Sequence, residues 1–130
     1  MRNKLLATGV ATVLAAAGLS IVETSPAAAA GTFGCEYPRV CLYTKSSDWI
    51  ARKPTAWYQK ITPDWQRLGP RSVHAYAVYN TRMDDSVWLL SDDETVSCVG
   101  PLTTWFFDEL DVPQRIVALQ IVDDPDCFVE

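Results

Sequence analysis

Four cysteines, Cys35, Cys41, Cys98 and Cys127, all lie after residue 30 of a 130-residue chain, behind a segment set apart by its composition. Residues 1–4 carry two positive charges, residues 5–22 form an Ala- and Leu-rich apolar run, and Ala28, Ala29 and Ala30 offer small side chains at a cleavage site before Gly31. Residues 1–30 therefore read as a secretory signal peptide; Thr8, Gly9, Thr12, Gly18 and Ser20 dilute the run too much for a membrane anchor. Such a leader sends residues 31–130 to an extracellular compartment where thiols oxidise, so one secreted domain with two disulfides is expected. That pair of cross-links is the strongest single constraint on the fold.

Four cysteines allow three pairings, and sequence alone does not choose among them. Cys35 and Cys41 flank a short segment whose Pro38 favours a turn, which makes a local bridge easy. Cys98 would then pair with Cys127, closing a loop of about thirty residues and stabilising by roughly 3–4 kcal/mol on the loop-entropy model. A zinc site is not indicated, because there is no C-x-x-C pair and His74 is the single histidine.

Charge narrows the partners. The chain holds 11 Lys and Arg against 16 Asp and Glu, a net charge of −5. Loss of Arg2, Lys4 and Glu23 with the leader makes the secreted form slightly more acidic. Nucleic acid and anionic membranes both require clustered cations, so neither is an expected partner. An enzyme is not expected either: there is no G-x-S-x-G, no H-E-x-x-H and no glycine-rich phosphate loop, and the lone His74 sits in a strand-like alternation without a partner base or nucleophile. No cofactor is expected. Carboxylates gather at Asp84 and Asp85, at Asp92, Asp93 and Glu94, at Asp108, Glu109 and Asp111, and at Asp123, Asp124 and Asp126; they lack EF-hand spacing and read as solvated turns, with no metal site among them.

Apolar residues recur at period two rather than 3.6. Residues 75–79 and 86–90 are short, aromatic and β-branched, with the polar stretch 80–85 between them, and together predict an antiparallel hairpin. Residues 95–99 and 115–122 predict further strands. Helix signals are poor: Pro54 interrupts residues 47–58, and 106–110 is too short to stand alone, so both are expected to be irregular. Short strands separated by turn signals point to an all-β sandwich.

A duplication is visible within this pattern. Val40, Cys41, Leu42 and Tyr43 match Val87, Trp88, Leu89 and Leu90 at an offset of 47, each run leading into a polar turn. Pro70, Val73, Ala75 and Val78 match Pro113, Ile116, Ala118 and Ile121 at an offset of 43. Two four-strand halves would make one pseudo-symmetric Greek-key sandwich.

The cysteine pair ending in Val40-Cys41-Leu42-Tyr43, the strand over 75–80 and the second, shorter half resemble peptidase inhibitor family I36 across most of residues 35–127. The resemblance implies a βγ-crystallin-like double Greek-key fold and, as partner, an extracellular peptidase, above all a zinc metalloproteinase. It also implies a site. The run Val96-Ser97-Cys98-Val99 matches the family's inhibitory loop, in which Cys98 would offer its carbonyl to the catalytic zinc and Val99 would fill the apolar pocket on the leaving-group side. A loop held rigid in a substrate-like shape loses little entropy on docking, which is why a disulfide at Cys98 suits such a role. The family's loop closes on a second cysteine five positions on, where this chain has Thr103, leaving Cys127 as the replacement. The calcium-binding acidic pairs of βγ-crystallin relatives are absent from residues 72–77 and 114–119.

Eight aromatic residues, Trp49, Trp57, Tyr58, Trp65, Trp88, Trp105, Phe106 and Phe107, fit mainly a small sandwich core. The pairs Trp57-Tyr58 and Trp105-Phe106 stand out, since neighbours on a strand face opposite ways and one of each is expected outside. The expectation is thus a secreted, monomeric peptidase inhibitor acting through Cys98-Val99. The alternative is a non-inhibitory binding or structural module that uses exposed aromatics or acidic turns. Projection of Cys98 and Val99 at the edge of the sheet would favour the first; burial of both, with Trp57 or Trp105 exposed beside a groove, would favour the second.

Overall fold

The computed structural model describes residues 32–107 and 115–128. The segment read as a signal peptide, the carboxylates Asp108, Glu109 and Asp111, and Pro113 lie outside the described residues. Eight strands form two four-stranded sheets: β1 (Val40–Tyr43), β2 (Ala56–Tyr58), β3 (Gln66–Arg67), β4 (Ala77–Asn80), β5 (Ser86–Ser91), β6 (Val96–Val99), β7 (Thr104–Phe106) and β8 (Ile116–Val122). One sheet runs β2-β1-β4-β7 and the other β3-β8-β5-β6, with every strand pair antiparallel. The third strand of each half thus lies in the sheet built on the other half. The offsets read from the sequence align strands of equal place: β1 with β5 and β4 with β8.

The hairpin expected from residues 75–79 and 86–90 does not form. β4 lies between β1 and β7, and β5 lies between β8 and β6 in the opposite sheet. Both strands carry inward apolar residues, Val78 and Val87, into one core from opposite sides, which side-by-side pairing would forbid. That core joins Val40, Leu42 and Val78 of the first sheet to Val87, Leu89, Val99, Leu119 and Ile121 of the second, all fully buried. Burying each such side chain contributes roughly 1.5–3 kcal/mol.

A second, smaller core lies on the far side of the first sheet. There Cys41, Tyr43, Ala77 and Tyr79 face away from the main core and are covered by Phe33 and by Trp49 from a five-residue helix, α1 (Ser46–Ile50). The Phe33 and Trp49 rings stack at 4.1 Å, and Trp49 meets Tyr43 and Phe106 edge-on. The stretch expected to be irregular therefore holds a helix and β2. Five residues are too few for a helix to persist alone; the packing of Trp49 holds it in place. Beyond it, Gly34 is at φ +77°, where an added Cβ would collide with the Arg52 carbonyl oxygen. The Tyr43 hydroxyl donates to the Phe33 carbonyl at 2.9 Å, and burial pushes its pKa up to about 12, with Tyr79 adding to the rise.

Each sheet carries one disulfide. Cys35–Cys41 fastens the N-terminal segment to the first sheet, and Cys98–Cys127 fastens the C-terminal segment to the second. The pairing is the one that a local first bridge leaves.

Candidate functional site

β6 is an edge strand, and the Cys98-Val99 peptide lies within it rather than in a loop. Cys98 is half-buried opposite Trp88, while Val99 sits opposite Val87 and is a core residue with no exposed surface. Its carbonyl faces the Asn80 amide nitrogen at 3.3 Å. Val99 so placed has no side chain to offer a partner's pocket. A carboxylate at position 99 would be buried without a partner, so Val99→Asp would report on folding rather than on a binding site.

The remaining sequence candidates divide between scaffold and surface. Trp57 is exposed while Tyr58 packs on the main core, as strand alternation requires. Trp105 is exposed at its sheet's edge while Phe106 joins the outer aromatic cluster. His74 lies in an exposed bend rather than a strand. Two acidic turns use their carboxylates locally: Asp93 accepts from the Thr95 N–H, which lowers its pKa, and Asp124 accepts from the Asp126 N–H. Among the described residues no three His, Cys, Asp or Glu side chains converge, and no helix is long and apolar enough to cross a membrane.

The structure instead brings together residues that the sequence reading passed over. A groove of about 150 Å³ opens between the N-terminal segment, the link from β4 to β5 and the β6–β7 loop. Its rim is formed by Tyr37, Met83 and Leu102, which are 59%, 69% and 59% exposed, and its floor by Tyr79 and Cys35. Large apolar side chains this exposed on three separate segments therefore meet around one small groove.

The groove is held from below by a buried polar network where the chain crosses between sheets. Asn80, Arg82 and Asp85 are all buried. The Arg82 Nε donates to the Asp85 carboxylate, and its Nη1 donates to the carbonyls of Pro38 at 2.9 Å and Gln59 at 3.3 Å. The Arg82 carbonyl accepts from the Leu102 N–H at 3.0 Å. One residue thus ties together the Tyr37, Met83 and Leu102 walls. Asn80 adds its Oδ1, which accepts the Arg82 N–H, and its amide nitrogen, which donates to the Asp85 and Gly100 carbonyls. Burying an ion pair is expensive, and removing one partner costs about 3–5 kcal/mol, so the groove walls are fixed relative to one another.

Leu102 adopts a φ of 53°, in the left-handed region. A side chain there costs on the order of 1 kcal/mol relative to glycine, and a leucine that is 59% exposed recovers only part of that by burial.

Sequence reading missed the groove because residues 80–85 and 100–103 carry turn chemistry. The usable signal was Met83 and Leu102 themselves, apolar residues set singly in polar turns. Comparison with protein-family models, curated proteins and solved structures finds no match for this chain.

Proposed function

We propose that this chain is a secreted binding module that docks an extracellular protein through the groove bounded by Tyr37, Met83 and Leu102, on a βγ-crystallin-like double Greek-key scaffold. The observation that carries the reading is the convergence of three exposed apolar side chains on a rigid, buried ion-pair frame. Pre-organisation of this kind reduces the ordering cost of association, so a small contact can give useful affinity. The exchange of β3 and β7 between the sheets supports the scaffold, and the apolar leader with two disulfides supports secretion.

Inhibition of an extracellular zinc metalloproteinase is the second reading. One observation favours it: β6 lies along the open edge of its sheet, and Cys98 is tied to Cys127, so extended backbone is presented in a fixed shape. The burial of Val99 weighs against it.

Titration of a thermolysin-like metalloproteinase and a subtilisin-like serine protease with the mature, oxidised protein separates the two. The binding module leaves both activities intact. Stoichiometric loss of metalloproteinase activity, undiminished by Leu102→Glu, would overturn it in favour of inhibition through β6.

A further inference from the structure

We propose that β6 pairs edge to edge with β6 of a second copy of this chain, antiparallel and two-fold about Ser97, so that the sheet built on β5 and β8 continues from one copy into the other. The pairing is independent of the groove and replaces the monomer expected from the sequence.

Hydrogen-bond direction marks the free edge. Leu90 stands opposite Val96, Leu89 opposite Ser97, Trp88 opposite Cys98 and Val87 opposite Val99, and the Ser91 N–H donates to the Thr95 carbonyl at 2.9 Å. Bonded and non-bonded pairs alternate along an antiparallel ladder, so Thr95, Ser97 and Val99 turn their backbone groups to β5, while Val96 and Cys98 turn theirs outward. Those outward N–H and C=O groups meet no partner among the described residues. Exposed edges are normally blunted by shortness, charge, proline or a bulge. The other three edges follow that rule: β3 has two residues, one of them Arg67; β2 has three, with the Arg39 guanidinium over Trp57; β7 has three. β6 has four uncharged residues, no proline and an unbroken register.

A second copy is complementary to this edge. A two-fold axis at Ser97 sets Val96 of each copy opposite the partner's Cys98, and each such pair exchanges both of its backbone hydrogen bonds. The same rotation matches side chains. Val87, Leu89 and Val99 face the core, so Trp88, Leu90, Val96 and Cys98 lie on the outer face. Across the seam each Leu90 and Val96 continue into the partner's Cys98 and Trp88, an apolar row in which Val96, 46% exposed in the single chain, packs beside the partner's disulfide.

Charge fixes the direction. Asp92, Asp93 and Glu94 immediately precede Thr95 and β6. In the antiparallel pair each Glu94 is level with the partner's Gly100, which leaves the two acidic turns roughly 20 Å apart, well beyond the screening length of about 8 Å at physiological salt. A parallel pair would set them side by side. The remaining repulsion between two chains of net charge −5 opposes association and weakens as salt rises. An edge contact is smaller than a standard interface, so the dimer is weak and concentration-dependent.

Sedimentation equilibrium of the oxidised, mature protein from micromolar to millimolar concentration, with amide hydrogen exchange by NMR over the same range, tests the pairing. Val96→Pro removes an outward N–H and leaves the ladder to β5 intact; Val96→Lys charges the same edge; Trp105→Lys charges the edge of the other sheet. Melting temperatures in dilute solution certify each fold. The expected result is a monomer–dimer equilibrium that strengthens with salt, in which the Val96 and Cys98 amides gain protection with concentration while the Ser97 amide is protected throughout. Both Val96 variants should associate about ten-fold or more weakly, and Trp105→Lys as the native protein does. A monomer at every concentration, or a dimer that neither Val96 variant weakens, overturns the proposal. So does protection of Val96 and Cys98 that appears only when a metalloproteinase is added, which would assign the edge to a foreign strand.

Discussion

The outer face of the sheet built on β1 and β4 is covered throughout its central strands, and that of the sheet built on β5 and β8 only in part. On the first, Cys41, Tyr43, Ala77 and Tyr79 lie under Phe33, Trp49 and a disulfide, and all four residues of β1 and of β4 are buried. On the second, Trp88 and Leu90 are half-buried, Val96 is exposed and Arg67 lies beside Ala118, so burial alternates along β5. Both pairs of central strands are nearly continuous apolar runs in sequence. The difference teaches that a two-sided apolar strand shows only that both faces tolerate burial; a covering segment must be supplied from elsewhere in the chain.

The largest test of this contrast is truncation of one aromatic on each side. Tyr43→Ala, on the covered face, is expected to cost about 4 kcal/mol in urea denaturation, and Trp88→Ala, on the open face, about half of that despite the larger side chain. Equal losses would show that the second face is as well packed as the first. Next come the disulfides. Replacing Cys98 and Cys127 by serine should cost about 3–4 kcal/mol and replacing Cys35 and Cys41 about 2 kcal/mol, because the longer loop regains more chain entropy when opened. A reversed order would mean that packing under Phe33 and Trp49, and not loop length, sets the value of the shorter bridge.

Alkaline titration gives a smaller, face-specific effect. Tyr43 ionises near the ordinary value of 10 when unfolded and near 12 when folded, so the stabilisation of its neutral form is complete below pH 10 and is lost as pH rises towards 12. The loss is on the order of 2 kcal/mol. Melting curves between pH 9 and pH 12 should show it in the native protein and not in Tyr43→Phe. The smallest expected change is Val96→Thr on the open edge strand, within about 0.5 kcal/mol of wild type by melting temperature; a large loss would reveal a cover on that face.

Much of the scaffold was legible. β6 and β8 stand within the stretches that alternation and turn residues marked, β5 runs one residue past its own, and the internal offsets paired strands of equal rank. The two disulfides followed from four cysteines placed after an apolar N-terminal run. Three things were not legible. β4 and β5 are adjacent in sequence and looked like a hairpin, yet residues 81–85 carry the chain to the other sheet; a five-residue link serves either geometry, and only the shared core chooses. α1 has too little intrinsic propensity to be read from its own residues. Val99 looked like half of a presented bond, and the pattern of valines around Cys98 is also that of a strand whose Val99 turns inward.

The sequence by itself determined that this chain would build short β-strands, duplicate them, and cross-link them in two places, because periodicity, turn chemistry and cysteine placement act locally or count residues. The tertiary structure decided which strands share a sheet, which face gains a cover, and that Tyr37, Met83 and Leu102 meet over Arg82. Those outcomes depend on contacts between residues as far apart as Pro38 and Arg82. Such contacts form only once the whole core has excluded water, and no local pattern records them.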